Sequence, residues 1–307
     1  MTAAIDVTLD AVIVAVTDDR PRILTVAGPS GPPRIPSGPL DPELDKTLEQ
    51  AMRRWIDQLA GVGIGYAEQL YTFGDRKRGS RRDGAARWLS VAYLALVREE
   101  VPPPGASWVD VYDLFPWEDH REGRPALIDG TLLPALEAWA GSAPSDASVR
   151  SERIAVMFGR EAGWDGIRVL ERYELLYEAG LVTEAHVDAG TPPTSCQAPV
   201  AGTTMASDDR RIAATALGRL RGKLTYRPVV FELLPDRFTL SLLQRTVEAL
   251  SGMRLHTQNF RRLVERNRLV EGTGVVAATG GRPGELFRFR PEVYRERPRP
   301  GVGVPYR

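Results

Sequence analysis

The sequence predicts an α+β fold in two parts. Residues 1–226 read as an α/β/α sandwich interrupted by a helical insertion at about 125–207, and residues 227–307 read as a small helical module that ends in a hairpin. Three observations lead there. A β-branched run at 7–16 is followed by a second at 23–26, with Asp18-Asp19 between them as a turn. Residues 44–59 carry helical periodicity, stop at Gly61 and are followed by two further strand-like runs. Near the C-terminus, two short amphipathic patterns precede two strand-like runs around a Gly/Pro turn.

Taken in order, the apolar run 7–16 is a buried strand onto which 23–26 pairs back. A Gly/Pro-rich loop at 28–42 leads to the helix at 44–59. A strand at 66–73 follows, then a basic loop with Arg76, Lys77, Arg78, Arg81 and Arg82, then a strand at 89–97. In the insertion, 127–139, 152–158 and 167–179 read as helices, and 188–207 as a Gly/Pro/Thr-rich loop. Trp139, Phe158, Trp164 and Tyr173 suit additional core, and the alternatives are a cover over a ligand pocket or a dimer surface.

The C-terminal module is more specific. Leu240, Leu243, Val247 and Leu250 share one helical stripe, which Gly252 can end. A second helix starts at Thr257, a plausible N-cap, and turns Phe260, Leu263 and Val264 inward. Gln258, Arg262, Glu265 and Arg266 then point outward, with Asn259 and Arg261 on the flanks. Such side chains read base edges and grip phosphates. Leu269-Val270 begins a strand, 279–284 supplies a turn with Arg282 at its tip, and 286–290 returns. Two short helices and a wing make a winged helix-turn-helix. The expected DNA contacts are Thr257, Gln258, Asn259, Arg261, Arg262, Arg266 and Arg282.

Charge supports this reading. The whole chain carries 40 basic and 40 acidic residues, so its net charge excludes nothing. Residues 236–299, however, hold 13 Lys/Arg, all of them Arg, against 7 Asp/Glu, whereas residues 1–235 hold 26 against 33. A basic module on an acidic body is the electrostatic footprint of nucleic-acid binding; the alternative is a winged helix used for protein contacts. At 307 residues the chain has room for two domains. Its single cysteine, Cys196, excludes an intramolecular disulfide framework. The longest N-terminal apolar run, 11–16, is too short for a membrane span, so a cytoplasmic protein is expected.

Residues 47–62 resemble the helical part of a Nudix box, R-E-U-x-E-E-x-G-U with U aliphatic. Arg54, Ile56, Gly61 and Val62 match, but Trp55, Gln58 and Leu59 replace the three carboxylates, and Lys46 stands where another Glu is usual. Nudix hydrolases use that cluster to hold Mg²⁺ against a pyrophosphate, because a hard cation needs carboxylate oxygens. The expectation is therefore a non-enzyme with no catalytic residue, no metal and no required cofactor. The alternative is a diverged Nudix hydrolase of a nucleoside diphosphate derivative.

Residues 68–75 and 90–97, followed by 219–226, 231–235, 238–240, 243–244, 259–262 and 281–283, are similar to the corresponding parts of the Nudix-related transcriptional regulators of NAD metabolism. The resemblance covers about 5–100 and 208–290. It is to NrtR-like proteins, and closest to the NadQ-type repressors of NAD biosynthesis, a group without the Nudix catalytic residues. It implies a repressor that binds double-stranded operator DNA as a homodimer, with no membrane association. It also implies a nucleotide effector in the Nudix-like domain, such as NAD, ADP-ribose or ATP.

Position in the chain suggests the effector contacts. Arg53 and Arg54, with Arg34 in the preceding loop, can replace Mg²⁺ as partners of a diphosphate. Tyr71 and Phe73, two apart on one strand, can stack on a base or ribose or serve as sheet core. The acidic segment with Asp110, Asp113, Glu118, Asp119 and Glu122 reads as a solvated loop before it reads as an acid/base pair. His120, His186 and His256 have no metal-ligand spacing, and neither a phosphate loop nor a dinucleotide glycine fingerprint is present.

Overall fold

A computed structural model of the chain describes residues 5–28, 31–60, 64–74, 87–159, 161, 163–191, 202–277, 283–296 and 300–302. Its centre is a mixed sheet. Strands β1 (Ile5–Thr17) and β2 (Arg20–Gly28) form a hairpin whose turn is Asp18-Asp19, both at positive φ. Strand β3 (Gly31–Arg34) pairs with β2, and β4 (Ser37–Pro39) pairs with the first half of β1. After helix α1 (Leu48–Ala60), β5 (Tyr66–Phe73) and β6 (Arg87–Leu96) complete the order β3-β2-β1-β6-β5, with β1 and β6 parallel. Strand β7 (Ala106–Asp110) pairs with the outer side of β2.

Alternation along β1 divides the core in two. Leu9, Ala11, Ile13 and Ala15 pack with Ala51, Met52, Trp55 and Ile56 of α1, while Val12 and Val14 belong to the cluster on the opposite face. That second face carries helix α7 (Asp209–Leu224). Its C-terminal end is pinned to β5, where Lys223 donates to the Tyr66 hydroxyl at 2.7 Å and to the Glu68 carboxylate, and Arg219 reaches Glu68 at 3.3 Å. Burial would raise the Glu68 carboxyl, but Lys223, Tyr66 and Arg219 outweigh it and hold it below the usual range.

The insertion builds core, as expected. After a short α2 (Val111–Leu114), it runs through a π-helical turn Ile128–Leu132, α3 (Leu133–Gly141), α4 (Ala147–Phe158), α5 (Val169–Glu178) and α6 (Thr183–Ala189). Phe158 and Tyr173 are fully enclosed, with Trp139 and Trp164 packed against them. Helix α6 overlaps the start of the stretch expected to be loop, and Gly190 caps it at a φ of 67°.

The acidic segment is only partly solvated: Asp113 and Glu122 are exposed, but Asp110 and Glu118 are buried. Asp110 caps α2, accepting the Tyr112 amide at 2.8 Å, and also pairs with Arg20 at 2.6 Å. Glu118 is 0% exposed. The sequence hides this because the arginines that neutralise Glu118, Arg172 and Arg221, lie far along the chain.

Residue 226, where the sequence suggests a boundary, lies in the turn after α7. A 3-10 turn Val229–Leu233 leads to α8 (Leu240–Ser251) and α9 (Thr257–Arg266), then to the hairpin β8 (Val270–Ala277) and β9 (Gly284–Phe289) and a short α10 (Val293–Glu296). Leu243, Val247, Leu250, Phe260 and Val264 share one continuous cluster with the face of the sheet that carries α7. The winged helix is therefore seated on the body through apolar contact.

Candidate nucleic-acid interface and ligand cavity

Local chemistry fixes the helix-turn-helix. Thr239 caps α8, its hydroxyl accepting the Leu242 amide at 3.1 Å, and Gly252 ends the helix at a φ of 70°. Gln244 then staples the turn, donating to Glu248 at 2.9 Å, to the Leu255 carbonyl at 3.0 Å and to the Thr257 hydroxyl at 3.3 Å. Thr257 is the first residue of α9 rather than its cap. His256 holds the cap position without a side-chain bond, and the Thr257 hydroxyl accepts from Gln244.

Phe260 and Val264 anchor α9 in the core, and Leu263 is half-buried beside them. Gln258, Asn259, Arg261, Arg262, Glu265 and Arg266 are all exposed. Arg261 and Arg262 have no hydrogen-bond or ion-pair partner among the described residues, whereas other arginines of the module are engaged: Arg245 with Asp19, Arg254 with Glu122 and Glu248, Arg288 with Glu271, and Arg290 with Glu296. The basic excess counted along the chain is thus partly spent inside the molecule, and Arg261 and Arg262 of α9 are exposed arginines that keep theirs unpaired among the described residues. Arg282, expected at the wing tip, lies outside the described residues.

A cavity of about 450 Å³ opens where the end of β5 meets α5 and the start of α7. Tyr71, Thr72, Phe73 and Gly74 line one wall, and Glu174, Asp208 and Arg211 the other. Tyr71 is 65% exposed and meets Phe73 edge-on at 5.5 Å, leaving a ring face available for stacking. Arg211 clamps the second wall, bonded to both oxygens of Glu174, one of them at 3.2 Å, and to Asp208. Burial would lower the Arg211 pKa, but the two carboxylates raise it above its ordinary value. The sheet next to Phe73 is polar: Ser90 lies opposite Phe73 and Thr8, is fully buried, and donates to the Asp10 carboxylate.

The five effector residues expected from sequence do not converge. Tyr71 and Phe73 line the cavity, but Arg53 and Arg54 sit on α1, on the other side of the sheet. Arg54 is bidentate to Asp45 at 2.9 and 2.7 Å; Arg53 bonds Glu49 at 2.9 Å and the Ile64 carbonyl at 2.6 Å. Arg34 approaches Asp209 at 3.8 Å, next to the cavity's Asp208. Glu174, Asp208 and Arg211 escaped the sequence reading because no local pattern marks them; the fold alone brings α5 and α7 to β5.

The Nudix-box positions do not fit a hard dication. Trp55 is core, packed so closely on Gly38 of β4 that a Cβ there would fall 2.6 Å from the indole, and Gln58 is an exposed amide. The side chain of Leu59 lies outside the described residues. Among the described residues, no three His, Cys, Asp or Glu side chains converge as metal ligands.

Fold and module define a Nudix-like α+β protein with a C-terminal winged helix. More particularly, residues 230–289 match the family of the NrtR DNA-binding winged helix domain. Over 90 residues the chain is 33% identical to the ADPR responsive transcriptional repressor NtrR of Acinetobacter baylyi, a match covering 29% of this chain and 36% of that protein's length. Among solved structures, Shewanella oneidensis NrtR complexed with a 27mer DNA is similar at a TM-score of 0.57 and 21% identity, covering 94% of this chain and 95% of that one. A MutT/nudix family protein from Enterococcus faecalis is similar at 0.55 and 15%, covering 94% and 88%. At those identities the structural likeness is one of fold. No helix among the described residues is long and apolar enough to cross a membrane.

Proposed function

We propose that this protein is a ligand-gated transcriptional repressor of genes of NAD metabolism, with ADP-ribose as its effector and no hydrolytic activity. The observation that carries the reading is α9: an amphipathic helix in an NrtR-type winged helix, anchored by Phe260 and Val264, that offers Gln258, Asn259, Arg261 and Arg262 to solvent. As a homodimer, two such helices enter successive major grooves of a near-palindromic operator, about 10 to 21 base pairs apart. The wing, with Arg282, lies against the backbone or minor groove.

The cavity at β5, α5 and α7 suits the nucleoside end of ADP-ribose. Tyr71 offers a ring face to a base, and the carboxylates of Glu174 and Asp208 accept hydrogen bonds from ribose hydroxyls or an exocyclic amine. The Acinetobacter relative is an ADPR responsive repressor, which favours ADP-ribose among the candidate effectors. Trp55 and Gln58 in place of carboxylates support binding without cleavage, and the same losses favour the NadQ-type group.

Fluorescence anisotropy tests the reading. DNA from upstream of the source organism's NAD-synthesis genes is titrated at two salt concentrations, with and without ADP-ribose, NAD and ATP. Salt-sensitive, sequence-preferring binding that ADP-ribose shifts is expected, together with no Mg²⁺-dependent loss of ADP-ribose in a parallel assay. Affinity equal to that for scrambled DNA across genomic fragments would remove the repressor reading, and turnover of ADP-ribose would restore the hydrolase.

A further inference from the structure

Two charge clusters sit on the same pair of helices. At the cavity, Glu174 of α5 is clamped by Arg211 of α7. Deeper in the molecule, Arg172 of α5 and Arg221 of α7 converge on the buried Glu118: Arg172 is bidentate at 2.6 and 3.0 Å, and Arg221 reaches the second oxygen at 2.5 Å. Arg221 continues onward, donating to the Leu250 carbonyl at 3.0 Å, near the end of α8. The segment around Glu118 also holds that end, through the Tyr112 hydroxyl on the Ala249 carbonyl at 2.6 Å and the His120 amide on the Gly252 carbonyl at 2.8 Å. Contact there is so close that a Cβ on Gly252 would collide with the Glu118 carbonyl.

We propose that α5 and α7 form a relay from the cavity to the DNA-reading helices, with Arg211 as the ligand contact and Glu118 as the positioning residue that holds α8. This rests on the reading of the cavity as the ADP-ribose site. With the nucleoside of ADP-ribose in the cavity, the adjoining diphosphate meets the planar fork of the Arg211 guanidinium and competes with Glu174 for its donors. Once Glu174 is released, α5 loses its ion pair to α7 at the cavity and keeps the packing of Arg211 over the Tyr173 and Tyr177 rings, at 5.8 and 4.8 Å. The two helices are packed rods, so their adjustment is delivered at the other shared point, Glu118. There a buried carboxylate tolerates no loose geometry with its two arginines, and a shift of Arg221 moves the carbonyl of Leu250 and with it the seat of α8 and α9.

Two variants test the relay, each measured for ADP-ribose affinity by calorimetry and for operator affinity with and without ADP-ribose. Glu174→Gln removes the clamp's charge at a partly exposed position and leaves the buried cluster intact. It is expected to shift the ligand-free operator affinity in the direction in which ADP-ribose shifts the wild type, and to shrink the further response. Glu118→Gln, checked for folding by circular dichroism, is expected to bind ADP-ribose within about threefold of wild type while its operator response falls toward one-fold, from the ~5–150-fold typical of coupled sites. A purely structural role for Glu118 lowers the melting temperature without changing that ratio.

A Glu174→Gln protein with wild-type operator affinity and response overturns the relay, as does a folded Glu118→Gln protein that responds in full. If Glu118→Gln does not fold, Glu174→Gln alone decides. A wild-type protein whose operator affinity ignores ADP-ribose overturns the effector reading itself, and the relay with it, which is a distinct result.

Discussion

Arg172, Arg210 and Arg221 lie inside the molecule, each bonded to a carboxylate and to at least one main-chain carbonyl, whereas Arg261 and Arg262 project from α9 with no partner among the described residues. The residue type is the same and the physical role is opposite. In the first group, desolvation is offset only by geometry that satisfies the guanidinium, so those arginines fix the relative placement of strands, insertion and winged helix. In the second, the charge stays hydrated and becomes useful when phosphate displaces counterions. Chain-level charge counts cannot separate the two, and the contrast generates predictions that differ in kind.

The largest effect is expected at the buried end. Glu118→Ala leaves Arg172 and Arg221 facing each other without the carboxylate between them. Breaking such a buried pair costs about 3 to 5 kcal/mol, read as a shift in the urea midpoint. Arg261→Ala should leave the midpoint within ~0.5 kcal/mol of wild type, as for other solvated surface changes. If the two variants unfold alike, the division between structural and available arginines is wrong.

Next comes binding. Arg262→Ala is expected to cost about 1 to 3 kcal/mol in operator affinity, with relaxed preference at one base pair, if Arg262 reads a base edge. Anisotropy on the operator and on singly substituted operators measures this. A uniform loss on every sequence, with the salt slope reduced by about 1, would instead make Arg262 a phosphate contact.

What the sequence revealed follows the same division. The winged helix was legible because its information is local: a Leu/Val stripe, Thr239 and Gly252 at the ends of α8, and polar residues on the far side of Phe260. The β1–β2 hairpin and β5 were legible for the same reason. The cavity was only half legible. Tyr71 and Phe73 were identified from alternation on β5, yet Arg53 and Arg54, chosen by analogy with a metal-binding helix, are occupied on the opposite side of the sheet. The arginine that lines the cavity is Arg211, whose position depends on how α7 crosses β5. Glu118 was misread as solvated because no local pattern announces an ion cluster assembled from segments so far apart.

A smaller effect should appear in the pH dependence. Burial pushes His120 down to about 4 from an ordinary 6.5, although Glu118 pulls the other way; its ring packs on Trp164 at 4.0 Å, tilted by 34°. Because the folded pKa is depressed, the unfolded chain takes up the proton first as pH falls. The native state therefore keeps its full stability above 6.5 and loses this part between 6.5 and about 4. Glu118, which burial pushes up but Arg172 and Arg221 hold below its ordinary 4.5, adds a loss in the same direction below 4.5, where protonation removes its pairing with both arginines. His120→Phe should flatten the slope of stability between pH 6.5 and 4 and leave the steeper acid limb. An unchanged slope would place the titrating group elsewhere.

The smallest effect is expected at the rim of the contact between body and winged helix. Arg245 of α8 meets Asp19, in the β1–β2 turn, at 2.9 Å, with both side chains about half exposed. Exposed pairs of this kind contribute about 0 to 1 kcal/mol and are screened by salt. If the buried cluster around Glu118 carries the attachment of α8, Arg245→Ala should lower stability by less than ~1 kcal/mol at low salt and by nothing measurable near 1 M, where the screening length is about 3 Å. Operator response to ADP-ribose should be retained, because the relay runs through Arg221 and the Leu250 carbonyl rather than through the turn. A large, salt-resistant loss on Arg245→Ala would reverse the assignment: the exposed arginine would then be the joint between effector domain and DNA-reading head, and the buried cluster only the core on which it rests.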